Sequence, residues 1–89
     1  MPQSRNYLAF DLGAESGRAM HATLHDDRME IQEIHRFINL PVRLPEGIHW
    51  DILHMWSEIK NGMAKAASSG STFSGVGLDT WGVDFGLLD

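Results

Sequence analysis

The residues of this sequence best suited to phosphate chemistry lie in one short segment near its start. Asp11 follows four consecutive apolar residues, and a carboxylate at the end of a buried strand can hold Mg²⁺ directly or through water. Small residues around Gly13 let backbone N–H groups approach phosphate oxygens. Ser16 can donate a hydroxyl hydrogen bond, and Arg18 either supplies positive charge or pins the loop. The spacing Asp-x-Gly-x-x-Ser-x-Arg therefore predicts a phosphate-binding turn.

A purely structural interpretation of this segment stays open, because a tight glycine hairpin with an exposed aspartate has the same pattern. The segment is not a Walker A loop, which requires Gly-Lys-Ser/Thr. It is not a Rossmann loop either, because it lies between two predicted strands and does not open a helix. A phosphate site here would therefore belong to another class.

A second polar segment near the end of the sequence has residue types that suit a sugar. Asp79 and Asp84 flank a turn, and their carboxylates can accept hydrogen bonds from sugar hydroxyls. Trp81 offers a flat platform for the apolar face of a sugar, and Gly82 lets a ligand approach the backbone closely. The alternative is a structural turn in which the carboxylates stabilise the backbone and Trp81 is a core residue.

Composition narrows the classes of protein. The net charge is −5 with only seven Lys and Arg, which disfavours a nucleic-acid partner. No cysteine is present, so disulfides and thiolate metal sites are excluded. The apolar runs are too short for a secretory signal or a spanning helix. We therefore expect a cytoplasmic protein without a membrane partner.

The predicted elements place the first polar segment in a hairpin. Apolar runs and turn signals predict strands at Tyr7–Asp11, Gly17–His25 and Arg28–Phe37, which form an antiparallel meander. The third strand should contain a bulge or be irregular, because Ile34 is out of step with the alternation before it. The segment between the first two strands is then the hairpin turn.

A helix is predicted after this meander. Apolar residues at helical spacing and Asp51 as N-cap predict a helix over Asp51–Ala67, preceded by a connecting loop over Asn39–Trp50. The strand Val76–Asp79 should return parallel to the first strand, because parallel strands need such a crossover. With a last strand at Val83–Leu88, the fold class is α/β, with a mixed sheet of three antiparallel strands, a crossover helix and further strands.

The 89 residues suffice for one small domain, and the last predicted strand lies at the end of the sequence. We therefore expect the sequence to be the first part of a longer protein. The helix face with Leu53, Trp56 and Ile59 and the last strand would then lack their natural cover. Uncovered apolar surface and an open sheet edge predict self-association of the chain.

Both polar segments resemble one enzyme family. The string YLAFDLGAESGRAM resembles the opening phosphate hairpin of the FGGY carbohydrate kinases, in the actin-like, ribonuclease H-like ATPase superfamily. The strings EIHRF, HWDILHMW and GVGLDTWGVDFGLLD are similar to the branch of that family that acts on L-rhamnulose. The resemblance covers residues 7–89, and the string DTWGVDF is its most specific part.

The resemblance implies transfer of the ATP γ-phosphate to the 1-hydroxyl of L-rhamnulose, with Mg²⁺ as cofactor. It implies that residues 1–89 are part of a first, ribonuclease H-like lobe. Asp11 matches the carboxylate associated with Mg²⁺, and Gly82 matches a sugar-contacting position, with Trp81 and Asp84 as further candidates. The catalytic base and adenine pocket are expected beyond Asp89, so the chain alone should be inactive. The residues matching the ATP-phosphate loop are Ala14, Glu15, Ser16, Gly17 and Arg18.

Three other functions stay open at this point. The chain can belong to another FGGY sugar kinase, against which only the turn at residues 80–82 argues. It can belong to a non-catalytic actin-like protein that binds a nucleotide or a sugar. A ribonuclease H-type nuclease would use Asp11, Asp79 and Asp84 as metal ligands, but the Gly-x-x-Ser-x-Arg spacing and the net charge of −5 disfavour it.

Overall fold

The structure is a computed structural model that describes residues 4–80 and places six strands and one helix there. Four strands form one mixed sheet, and two short strands form a separate hairpin. The elements are β1 (Ser4–Leu12), β2 (Ser16–His25), β3 (Arg28–Ile38), β4 (Pro41–Leu44), β5 (Gly47–Trp50), α1 (Ile52–Ser68) and β6 (Phe73–Asp79). Within these residues, no helix combines the length and apolarity that crossing a membrane requires.

The main sheet confirms the predicted meander and crossover. β1 pairs with β2 and β2 pairs with β3, both antiparallel, while β6 lies parallel to β1 after the chain has passed through α1. The strand order is therefore β3-β2-β1-β6. The β2–β3 turn contains Asp26 at φ 56°, a left-handed conformation that aspartate tolerates better than most residues. The predicted strand at Val83–Leu88 lies outside the described residues.

The predicted irregularity in the third strand is a β-bulge at Ile34. Ala19 pairs with His35 and Met20 pairs with Glu33, which leaves Ile34 without a partner across the β2–β3 ladder. The extra residue puts Glu33 and Arg36 on the same face of the sheet, where their side chains form an ion pair of 2.8 Å. Ile34 instead packs against the core beneath α1.

The predicted connecting loop over Asn39–Trp50 is wrong for most of its length, because β4 and β5 pair there as an antiparallel hairpin. Gly47 has φ 145°, which only glycine adopts readily, and this conformation turns the chain into β5. The two strands have four residues each and Pro41 begins the first, so the sequence pattern is too short and too rich in proline to reveal them.

The predicted helix is confirmed, with Asp51 as its N-cap. The Asp51 Oδ1 atom accepts a hydrogen bond from the His54 backbone N–H at 3.0 Å. Lys65 lies in the last turn, where its charge complements the helix dipole, and its Nζ donates to His35 Nδ1 at 2.9 Å. The cap therefore closes the start of α1, and the Lys65–His35 bond attaches its last turn to β3.

The apolar face predicted for the helix is not the face that packs on the sheet. Leu53 and Trp56 are 82% and 52% exposed, whereas Gly62 and Ala66 are buried. Ile59, which was expected on the uncovered face, packs against the core instead. The helix therefore meets the sheet along its small side chains.

The core lies where α1 crosses β1 and β2. Leu8, Phe10, Ala19 and Ala66 form one buried cluster. A Cβ atom on Gly62 would lie 2.8 Å from Phe10 Cε1, so the helix backbone approaches the sheet more closely than a larger residue would permit. This packing covers one face of β1 and β2 and leaves the opposite face and the β1–β2 turn accessible.

Candidate functional site

The β1–β2 turn is tight and carries backbone donors that no other group of the described residues occupies. The Gly13 N–H donates to the Ser16 carbonyl at 3.0 Å, so Ala14 and Glu15 form the tip of a tight turn. Within residues 4–80, the backbone N–H groups of Ala14 and Glu15 have no hydrogen-bond partner. Adjacent unpaired N–H groups at a tight turn are donors that suit phosphate oxygens.

Asp11 is exposed and lies beside this turn. Its register partners are Arg18 on β2 and Asp79 on β6. Register partners project to the same face of a sheet, and Arg18 in turn pairs with Arg36 on β3. Two arginines and two aspartates therefore form one row across the sheet, on the face opposite α1. In the described part of the chain, the Asp11 carboxylate makes no hydrogen bond or ion pair.

The two arginines of this row differ in whether other side chains already bind their donors. Arg36 donates from Nε to Glu33 Oε1 at 3.0 Å, so a neighbouring carboxylate partly neutralises its charge. The Nε atom of Arg18 is buried, and no hydrogen-bond partner for it lies within residues 4–80. Arg18 is thus the cation of the row whose donors are least occupied by other side chains.

The acidic residues of the row, Asp11 and Asp79, suit a single cation that takes its remaining ligands from other groups. No group of three or more His, Cys, Asp and Glu side chains in the described segment could hold a metal ion by itself. Asp11 and Asp79 lie on adjacent strands, where side chains in register are close neighbours. A divalent cation here would need further oxygen ligands, which a bound phosphate chain offers.

Gly17 lies directly after the turn and is buried against an aromatic ring. A Cβ atom at this position would lie 2.0 Å from Phe37 Cζ. Phe37 is 5% exposed, and its ring lies 6.0 Å from the rings of both His35 and His54. The close approach of Phe37 therefore explains why glycine, and no larger residue, follows Ser16 in β2.

The structure brings most of the predicted phosphate residues together and leaves part of the predicted sugar segment undescribed. Asp11 and the residues 14–18 occupy one end of the sheet. Because β6 is parallel to β1, Asp79 ends at the same edge. Trp81, Gly82 and Asp84 lie outside the described residues.

Asn39 is a residue at this site that the sequence interpretation missed. It is the buried polar residue of the described segment, with 2% of its surface exposed. Its Nδ2 atom donates to the Gly13 carbonyl at 2.7 Å, and its backbone N–H donates to the Glu15 carbonyl at 2.9 Å. No local pattern marks Asn39, because its two partners precede it by more than twenty residues.

Comparisons with known proteins agree on one enzyme name. The chain is 44% identical over 86 residues to the rhamnulokinase of Mannheimia succiniciproducens, a match covering 94% of this chain and 18% of that protein. It is 43% identical over 83 residues to the rhamnulokinase of Bacillus subtilis, covering 93% and 17% respectively. The rhamnulokinase of Enterobacter sp. (strain 638) is 40% identical over 87 residues, covering 96% and 18%. No protein-family model matches the chain.

The matches cover nearly all of this chain but only a small part of each relative. The chain spans less than a fifth of the length of the curated relatives that it matches. Identities near 40% over more than 80 residues leave no doubt about common ancestry in the shared part. The predicted resemblance to the enzymes that act on L-rhamnulose is thereby confirmed: over nearly its whole length, this chain is similar to a part of several rhamnulokinases.

Proposed function

We propose that this chain supplies the phosphate-binding part of a carbohydrate kinase that transfers the γ-phosphate of ATP to the 1-hydroxyl of L-rhamnulose. The observation that carries the proposal is the β1–β2 turn, where two N–H groups lie beside the carboxylate of Asp11 and none of the three has a partner within residues 4–80. The name shared by the relatives supports the sugar. The reaction is proposed for a protein of the relatives' length, in which residues 1–89 form part of a ribonuclease H-like first lobe.

The chemistry of the turn fits a nucleotide triphosphate. The N–H groups of Ala14 and Glu15 are donors for phosphate oxygens, and the Ser16 hydroxyl and the Arg18 guanidinium lie on the strand that follows. Asp11 is the residue of this group that would hold Mg²⁺ against the phosphates. Bound Mg²⁺ would neutralise charge that develops during phosphoryl transfer. The chain's own contribution is to position the phosphates and to balance their charge.

The sugar is proposed to bind at the adjacent end of β6. Asp79 and Thr80 end at the same sheet edge as Asp11, and the predicted sugar residues Trp81, Gly82 and Asp84 follow directly in the sequence. This order would place an acceptor hydroxyl near the phosphates, as in-line transfer requires.

A direct test is an ADP-release assay on an enzyme of the relatives' length that carries this segment. We expect ATP-dependent phosphorylation of L-rhamnulose and much slower turnover of xylulose and glycerol, the substrates of sister kinases. Equal turnover of the three sugars would favour another FGGY kinase. Nucleotide or sugar binding without ADP release would favour a non-catalytic binding protein. We expect the 89-residue chain by itself to be inactive.

Gly82→Val should raise the KM for L-rhamnulose and leave the KM for ATP nearly unchanged. A branched side chain would occupy the space through which the sugar approaches the backbone. Gly77→Val on β6 is a suitable control, because a Cβ atom at Gly77 would meet no atom of residues 4–80 within 4 Å. Steady-state kinetics with each substrate varied in turn separate the two constants. A raised KM for ATP with an unaltered KM for the sugar would contradict the assignment of Gly82.

The isolated 89-residue chain is further expected to self-associate through the outer face of α1. Leu53 is 82% exposed and Trp56 is 52% exposed on that face, and apolar patches of this kind favour association. Light scattering should therefore give a mass above that of a monomer, and Leu53→Glu should lower it. Ser57→Glu, an exposed neighbour without an apolar side chain, provides the control. A stable monomer at every concentration would refute this expectation.

A further inference from the structure

Asn39 binds backbone carbonyl oxygens of the candidate phosphate turn. It therefore lies on the side of the turn opposite the Ala14 N–H. Its Nδ2 atom and its backbone N–H bind the carbonyl oxygens of Gly13 and Glu15, which lie on either side of the turn tip. These two hydrogen bonds connect the end of β3 to the β1–β2 turn. Removal of the side chain would leave the Gly13 carbonyl without its donor in a part-buried position.

The direction of these bonds fixes the direction of the turn's N–H groups. In a trans peptide, the C=O and the following N–H point in opposite directions, and no cis peptide occurs in the described residues. Because the Gly13 carbonyl faces Asn39, the Ala14 N–H faces away from Asn39. Because the Glu15 carbonyl also faces Asn39, the Ser16 N–H is directed away too. Asn39 thus turns two carbonyl oxygens inward and directs the Ala14 N–H, a donor without a partner in residues 4–80, to the opposite side, where an anion can bind it.

The orientation of the Asn39 amide follows from its partner. Only the NH₂ group can face the Gly13 carbonyl, since two acceptors would repel each other. The Oδ1 atom is then buried without a hydrogen-bond partner within residues 4–80. An unsatisfied buried oxygen destabilises a fold, so packing alone would favour an apolar residue here. The hydrogen bond from the Asn39 NH₂ group to the turn explains why an asparagine occupies this buried position.

The segment before Asn39 is itself attached to the helix. The His54 Nε2 atom donates to the Ile38 carbonyl at 3.0 Å, and the Asp51 side chain caps the same turn of α1. The turn is therefore connected through Asn39 to the N-terminus of the helix, which is a rigid support. Backbone donors that are already held in place need less rearrangement when an anion binds.

We propose that Asn39 is a positioning residue for nucleotide binding: its hydrogen bonds to the Gly13 and Glu15 carbonyls aim the N–H groups of the β1–β2 turn at the phosphates of ATP. This inference rests on the proposed kinase function. Asn39 itself does not touch the nucleotide, because its side chain is buried beneath the turn.

Asn39→Asp tests this inference, because the variant keeps the shape but puts a carboxylate oxygen against the Gly13 carbonyl. In the enzyme of the relatives' length, we expect the KM for ATP to rise about tenfold or more, while the KM for L-rhamnulose stays unchanged. Asn61→Asp is the control, because Asn61 is exposed on α1 and donates only to Glu58. A merely structural defect would alter both KM values or neither. Unchanged KM values for both substrates would overturn the proposal.

A second readout does not depend on catalysis. Hydrogen exchange in the 89-residue chain should accelerate at the Gly13 amide, whose hydrogen bond to the Ser16 carbonyl closes the turn, in Asn39→Asp, with exchange in the rest of β1 and β2 unaffected. Unchanged exchange at the turn would overturn the positioning role even if the kinase reaction is confirmed. If an enzyme of the relatives' length that carries this segment releases no ADP with any sugar, the proposed function fails, and with it the nucleotide part of this inference. If Asn39→Asp does not fold, Asn39→Ser, whose side chain is too short to reach Gly13, replaces it.

Discussion

Asp11→Ala should lower kcat by about 10²- to 10³-fold in an enzyme of the relatives' length, with little change in the KM for the sugar. The reason is the position of this carboxylate beside the β1–β2 turn, exposed and without a partner in the described residues. A group that balances charge around the transferred phosphate contributes mainly in the transition state, so its loss reduces kcat.

The control for Asp11 is Asp27→Ala. Asp27 is also an exposed aspartate, but it lies in the β2–β3 turn at the other end of β2. Its removal should change neither kcat nor either KM. Titration of Mg²⁺ at fixed ATP adds a second readout, because loss of a metal ligand should raise the Mg²⁺ concentration that gives half-maximal rate. An unchanged kcat in Asp11→Ala would refute the assignment of this residue to the metal and the phosphates.

Gly17→Ala should destabilise the fold by about 1–3 kcal/mol through overpacking. The new Cβ atom would lie 2.0 Å from Phe37 Cζ, and the ring has little room to move because it is buried beside the rings of His35 and His54. In a domain of this size each kcal/mol lowers Tm by roughly 4–8 °C, so thermal unfolding detects the change.

A double-mutant cycle distinguishes this clash from a general effect of removing glycine. Phe37→Leu removes the ring, so Gly17→Ala should cost less in the Phe37→Leu background than in the parent chain. Gly77→Ala is the matched control in β6, where a Cβ atom would meet nothing within 4 Å in the described part of the chain. Equal losses of stability for Gly17→Ala in both backgrounds would show that the Phe37 ring is not the cause.

Local patterns in the sequence were enough to predict the secondary structure that positions the site. The apolar run before Asp11, the turn signals around Gly13 and the helical spacing after Asp51 are short-range features. A bulge or irregularity at Ile34 was also predicted, because an extra residue interrupts the alternation of apolar positions within a single strand. The parallel return of β6 followed from the crossover that a helix between two strands provides. These features depend on neighbours in sequence, so periodicity and turn chemistry reveal them.

The side of the helix that meets the sheet depended on contacts between distant residues. Leu53 and Trp56 are exposed, as predicted for the uncovered face, but Ile59 packs against the core. The buried residues of the helix are Gly62 and Ala66, which the apolar spacing did not single out. The reason is the distance of closest approach, which Phe10 and Ala19 on the sheet set. The spacing of apolar residues shows which of them share one face of a helix. It does not show how closely a sheet can approach that helix.

The sequence by itself determined the order of the elements, the position of the polar turn between β1 and β2, and the residue types available for phosphate and sugar. Only the tertiary structure placed Asp11, Arg18 and Asp79 in one row, because strand register decides which side chains are neighbours. Only it revealed Asn39 beneath the turn, because hydrogen bonds to Gly13 and Glu15 join residues that are far apart in the chain. Residue type follows from the sequence alone, whereas the direction of a donor depends on how the folded backbone holds it.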